Sequence, residues 1–126
     1  MKNGKEVFES VMFAGTVGIY TGIKKGAFSI SENQRAFTDR ESGLVANLVM
    51  VFSGYTEISW LVRDVLTECF TYDCAHERLV SNPISAYGYL ILAGSKDDEG
   101  VVITRDRFGE AHIDSLNATE GKWFIV

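Results

Sequence analysis

Apolar residues in the middle of the chain recur at three- and four-residue steps, and the first and last thirds instead show short β-branched or aromatic runs broken by glycine. The clearest helical stretch places Ile58, Leu61, Val62, Val65, Leu66, Cys69 and Phe70 along one stripe, with Ser59, Arg63, Asp64, Thr67 and Glu68 opposite. Thr56 is the expected N-cap, and Glu57 suits the positive end of the helix dipole. From Glu41 onward, Leu44, Val45, Leu48, Val49 and Phe52 repeat the spacing before Gly54, which predicts an earlier amphipathic helix ending at that glycine. Thr71 and Asp73 announce a short third helix through Ala75 to Val80, closed by Pro83.

The flanking thirds read as sheet. Val7 to Ala14, Val17 to Tyr20 and Ala27 to Ser31 are punctuated by Gly15, Gly18, Gly22 and Gly26, which predicts a strand meander with tight turns. Ala86 to Ala93 has no polar face, as in a strand covered on both sides, and an acidic loop joins it to Val101 to Arg105. His112 to Leu116 and Lys122 to Val126 complete the set, separated by Asn117-Ala118-Thr119-Glu120-Gly121. Strands, then helices, then strands imply an α+β domain with either two sheets or one large sheet carrying helices on one side. The final Trp123-Phe124-Ile125-Val126 stops in mid-strand without polar closure, so the chain is expected to end before its structural unit does.

Composition narrows the partners. The 126 residues, 46% hydrophobic, suffice for one domain. Twelve basic against 17 acidic residues give a net charge of -5, and no Lys/Arg run could neutralise phosphates, which argues against nucleic acid. No apolar stretch is long enough for a membrane span, and Met1-Lys2-Asn3-Gly4-Lys5-Glu6 is too polar to open a signal peptide, so the chain reads as soluble. Cys69 and Cys74 fit neither a paired metal pattern nor a disulfide-dense framework and read as two ordinary buried or half-buried thiols. His76 and His112 lack spaced partners, and Asp97-Asp98-Glu99 lacks the rest of a calcium loop, so no metal is expected.

Several blocks, in one order, carry a family likeness. Phe13-Ala14-Gly15-Thr16-Val17-Gly18-Ile19-Tyr20-Thr21-Gly22, Phe28-Ser29-Ile30-Ser31-Glu32-Asn33-Gln34-Arg35, Ile58-Ser59-Trp60-Leu61-Val62-Arg63, Gly100-Val101-Val102-Ile103-Thr104-Arg105-Asp106-Arg107 and Gly121-Lys122-Trp123-Phe124-Ile125-Val126 span nearly the whole chain. Together they resemble the acid ceramidase and N-acylethanolamine acid amidase family of N-terminal-nucleophile hydrolases. The resemblance implies part of a four-layer αββα sandwich, with residues 1–126 forming a single partial domain from the central part of the catalytic β-subunit. It implies an intact enzyme that cleaves a lipid amide, ceramide or an N-acylethanolamine, through an N-terminal Cys, without cofactor. The remaining α- and β-subunit segments would be partners, with peripheral membrane contact and a lysosomal or secretory location. An N-terminal Cys is activated because the freed α-amine, with a pKa near 8 in model peptides, can take the adjacent thiol proton. Residue one here is Met1, so the resemblance places the nucleophile, and the oxyanion-holding Asn, outside these residues.

The family's catalytic Glu falls at Gln34, whose amide keeps hydrogen-bond donation and loses the charge. Arg35 matches the family's Arg, but its preferred reading is a surface or ion-pairing residue. Arg105, Asp106 and Arg107 alternate charge at a strand end, where Asp106 could accept a guanidinium bond and support the site or serve a structural ion pair. Phe52, Tyr55 and Trp60 are acyl-channel candidates that also suit plain helix packing, and Asn117-Ala118-Thr119 is a glycosylation triplet in a loop. The competing expectation, prompted by Gln34, is a non-catalytic member that binds lipid or pairs with another subunit through its sheet.

Overall fold

The computed structural model describes residues 4–35 and 44–122. Six strands form one antiparallel sheet whose spatial order follows the chain, β1 (Glu9–Ser10), β2 (Thr21–Lys24), β3 (Phe28–Gln34), β4 (Gly88–Gly94), β5 (Gly100–Arg105) and β6 (Glu110–Ser115). Three helices, α1 (Leu44–Phe52), α2 (Ile58–Glu68) and α3 (Tyr72–Ser81), are inserted between β3 and β4. The central seam pairs β3 with β4 in continuous register, from Phe28 opposite Gly94 to Gln34 opposite Gly88.

One sheet face is closed by α2 and α3. Phe28, Ile30, Leu90, Leu92, Val101 and Ile103 project from it and meet Ile58, Leu61, Val62, Val65 and Leu66 of α2 with Ala75 and Leu79 of α3. Each buried Leu, Ile or Val contributes about 1.5–3 kcal/mol as an upper bound, so the α2 stripe alone is a large share of the hydrophobic stabilisation. The period-two alternation of β4 leaves Tyr89 and Ile91 partly open on the other face. The expectation of a strand covered on both sides is therefore corrected, because no layer covers that face among the described residues.

Other local expectations shift for identifiable reasons. Val17 to Tyr20 is not a strand; the segment's backbone lies against the start of α2, and β2 begins only at Thr21. Glu57, not Thr56, is the N-cap of α2, accepting from the Ser59 N–H at 2.9 Å. Thr56 instead pairs with Ile84 in an isolated bridge and accepts from the Ser85 N–H. Thr71 does cap α3, accepting from Cys74 N, which runs from Tyr72 to Ser81, longer at both ends than expected. The sequence Ser53-Gly54 closes α1, with Gly54 at φ 90. The start predicted at Glu41 and the strand residues Trp123 to Val126 lie outside the described residues.

Cys69 and Cys74 form a disulfide, with Cα atoms 5.6 Å apart, which corrects the reading of two thiols. The end of α2 and the first turn of α3 bring the two Cβ atoms together across Phe70-Thr71, within the usual span for such a bond. Lys24 reinforces the corner, donating from Nζ to the Cys69 carbonyl at 2.5 Å while lying 3.9 Å from the Phe70 ring centroid. Because the closed loop is short, chain entropy assigns the bond about 2 kcal/mol. Replacing Cys74 by Ser should lower unfolding stability by about that amount in chemical denaturation, with little further change on adding reductant.

Candidate functional site

The ends of β2 and β3 meet α1, the N-terminus of α2 and the segment before β4 around a cleft of about 820 Å³. Its lining includes Tyr20, Glu32, Asn33, Gln34, Arg35 and Glu57, with Asn47 and Tyr87 from the helical insertion and its return. Side chains alternate along β3, so Glu32 and Gln34 share one face, opposite Leu90 and Gly88 of β4. Gly88 matters at this point: a Cβ there would lie 2.5 Å from Ile58 Cδ1 and 3.8 Å from Glu32 Oε1. Glycine lets the strand approach Ile58 at the α2 N-terminus.

Charge in the cleft is unevenly compensated. Arg35 donates from Nη1 to Asp106 Oδ1 at 2.9 Å and lies 5.9 Å from the Tyr89 ring centroid. Glu57 receives both the N–H and the hydroxyl of Ser59, as a helix cap does. Glu32 is half-buried, and its pKa rises from 4.5 to about 7, first because burial disfavours its charge and then because Glu57 lies near. The folded state thus holds the Glu32 proton more tightly than the unfolded chain. That stabilisation is complete below the unfolded value and is lost as pH climbs through the folded one. Stability should fall by about 1–2 kcal/mol between mildly acidic and mildly alkaline solution, allowing for partial solvent screening, and Glu32→Gln should flatten this limb in pH-dependent denaturation.

Of the residues singled out in the sequence, the structure brings Gln34 and Arg35 together in the cleft, Gln34 exposed at the end of β3. The three residues at the end of β5 diverge in role. Arg105 is fully buried and donates to the carbonyls of Leu79, Asn82 (2.6 Å) and Gly109 (3.0 Å), closing the C-terminal end of α3. Burial holds its pKa below the ordinary arginine value. Asp106 reaches the cleft through Arg35. Arg107, also buried, donates to Ser85 O, to the Tyr87 hydroxyl and to Asn47 Oδ1 at 2.9 Å, and so fixes two side chains of the cleft wall. With its oxygen engaged there, Asn47 has its amide N–H groups for donation, joining the Asn33 and Gln34 amides as candidate donors to a developing oxyanion.

Phe52, Tyr55 and Trp60 do not share a cavity. Phe52 is 88% exposed on α1, whose residues are none of them buried, Tyr55 packs edge-on against Phe108 at 5.8 Å, and Trp60 lies 42% exposed beside Arg63. Asn117 caps a short 3₁₀ turn, Ala118–Glu120, accepting from the Glu120 N–H at 3.2 Å. Glu99 folds back onto the N–H groups of Ser95 and Lys96, closing the acidic turn on itself. No group of three metal-capable side chains occurs among the described residues. Glu32, Glu57, Asn47 and Tyr87 escaped the sequence reading. For Glu32 a signal existed, namely its position two residues before Gln34 on a strand.

Comparison with known proteins gives this geometry a lineage. No family model matches the chain. N-acylethanolamine-hydrolyzing acid amidase of Rattus norvegicus is 40% identical over 126 residues, all of this chain and 34% of the relative. Acid ceramidase of Homo sapiens is 37% identical over 128 residues, covering 99% of this chain and 32% of the relative. Among solved structures, the Caenorhabditis elegans N-acylethanolamine-hydrolyzing acid amidase ortholog superposes with a TM-score of 0.85 at 30% identity, over 99% of this chain and 53% of that one. The chain therefore spans about a third of the length of the curated relatives it matches. Across that span, in residues and in fold, the chain is similar to N-acylethanolamine-hydrolyzing acid amidase and acid ceramidase.

Proposed function

We propose that this chain is the central segment of a lipid amidohydrolase that cleaves a fatty-acid amide, ceramide or an N-acylethanolamine, to an amine and a fatty acid. Identity of 40% and 37% to an acid amidase and an acid ceramidase over essentially every residue carries the reading. The attacking thiol is assigned to an N-terminal Cys outside these residues, because both cysteines here are joined in a disulfide. This segment supplies one wall of the site, in which Gln34, Asn33 and Asn47 offer amide donors and the Arg35–Asp106 pair sets the orientation of the β3 end. The open sheet face, bearing Ile23, Tyr89 and Ile91, is where the second sheet of an αββα sandwich would pack, supplied by the remaining segments of the protein. The disulfide suits folding in an oxidising compartment, in keeping with a secretory or lysosomal route on which Asn117 would be the glycan acceptor.

The test compares two proteins, the full encoded polypeptide containing this segment and the isolated 126 residues. Each is incubated with ceramide and with N-palmitoylethanolamine, and released fatty acid is measured. Turnover by the former and background by the latter is the expected result. Turnover by the isolated chain would remove the thiol assignment, and inactivity of the full polypeptide toward both amides would favour the non-catalytic reading to which Gln34 points.

A further inference from the structure

We infer that Asn47 reads an oxygen on the amine half of the substrate, so that the cleft selects amides whose leaving amine carries a hydroxyl or ether oxygen near the nitrogen. The inference deepens the amidase reading and rests on it. Three observations carry it. Asn47 is the one polar residue of α1, Leu44–Phe52, and among the described residues it is that helix's contribution to the cleft lining. Its Oδ1 accepts from Nη2 of Arg107 at 2.9 Å, and a guanidinium has N–H groups and no acceptor, so the amide cannot turn over without losing the bond. Arg107 is itself held in place, since it is buried and donates also to Ser85 O at 3.1 Å and to the Tyr87 hydroxyl at 3.0 Å.

The result is a polar group of fixed sense. With Oδ1 on the guanidinium, Nδ2 is what Asn47 offers the cleft, and its N–H groups require an acceptor on the ligand. A hydroxyl or ether oxygen meets that need, and a methyl group does not. Asn33 and Gln34 stand at the end of β3, whereas Asn47 comes from the helical insertion, so different elements contribute these amides. The cleft they share, about 820 Å³, has room for the amine half of a substrate beside its reacting carbonyl. The β3 amides are then left to the carbonyl, and Asn47 to the oxygen beyond the nitrogen. N-acylethanolamines and ceramide both carry a hydroxyl on the carbon β to the amide nitrogen, the position such a donor would read.

The experiment uses the full encoded protein and three palmitoyl amides, those of ethanolamine, of 2-methoxyethylamine and of propylamine, the last replacing the oxygen by carbon. In the unsubstituted protein kcat/KM should favour the first two over the propyl amide by about tenfold, the worth of one hydrogen bond. Asn47→Leu should bring all three within about twofold of one another. Asn47→Asp keeps an acceptor for Arg107 and has no N–H to give. The hydroxyl, which can donate, should therefore keep its lead there while the methyl ether falls to the level of the propyl amide. That crossover reads the sense of the hydrogen bond, which a merely structural role would not move. An unsubstituted protein without the methyl-ether lead, an Asn47→Leu enzyme with the parent order, or an Asn47→Asp enzyme that still favours the ether overturns the assignment while leaving the amidase reading intact. A fall in kcat common to all three amides, with their ratios unchanged, overturns it as well and moves Asn47 to the reacting carbonyl. Absence of turnover by the unsubstituted protein on these amides and on ceramide overturns both.

Discussion

Replacing Arg105 by Met should destabilise the protein by about 3–5 kcal/mol, a large share of the roughly 5–15 kcal/mol that holds a typical domain folded. The guanidinium is inaccessible to solvent and is spent on the carbonyls of Leu79, Asn82 and Gly109. Two of those belong to the last turn of α3 and its C-cap, where helices leave carbonyls without internal partners. Methionine fills a similar volume and preserves most apolar contact, so the loss isolates the hydrogen bonds. Each buried acceptor left alone costs about 1–3 kcal/mol. Lysine keeps the charge and offers no planar fork, and it should recover only part of the stability. Urea denaturation of the three proteins checks the order Arg, Lys, Met. A Met variant within about 0.5 kcal/mol of the parent would contradict the role given to Arg105.

The second large effect concerns Gly18. A Cβ at this position would stand 1.6 Å from Ser59 Oγ and 2.4 Å from Ser59 Cβ, at the first turn of α2; a rotamer change moves Oγ, but Cβ is fixed to the helix backbone. The contact is held from both sides, since the Ile19 N–H donates to Ser59 O at 3.1 Å and Ser59 Oγ donates to Glu57. Gly18→Ala should therefore cost about 3 kcal/mol, the segment before β2 being forced off the helix. Pairing it with Ser59→Gly removes both clashing atoms, leaving Ser59 C at 3.4 Å as the next contact. The double variant should be more stable than Gly18→Ala alone, despite the cost of a glycine in the helix. A double-mutant cycle by thermal unfolding measures that coupling, and strictly additive effects would refute the steric account. Displacement of Tyr20 with its neighbour should also open the cleft wall.

How much of this was readable depends on how local the cause is. Helix α2 was legible because its buried stripe, Ile58 to Leu66, is written in the spacing itself. Strand β4 was legible as a strand and misread as to its surroundings: a run such as Tyr89-Leu90-Ile91-Leu92 looks alike whether its second face is covered or open. The extended look of Val17 to Tyr20 misled because what fixes that segment is Ser59, forty residues away in the chain. The Cys69–Cys74 bond depends on how α2 hands over to α3, which residue spacing does not encode. In the cleft, Gln34 and Arg35 came from likeness to relatives. Glu57 and Asn47 reach it only through the packing of the helical insertion, and Arg107 contributes by tethering Asn47 and Tyr87.

The chain-order sheet also constrains the route by which this molecule assembles. β2 with β3, and β4 through β6, are meanders closed by short connections, which form within microseconds as local units. The β3–β4 seam instead waits until the whole helical excursion has been gathered, and its loop-closure entropy is met by α2 and α3 packing across both halves. Folding speed should accordingly be governed by that suture, so substitutions at Ile30 or Leu92, which face each other across it, would register in the refolding rate more than equal losses at the β6 margin.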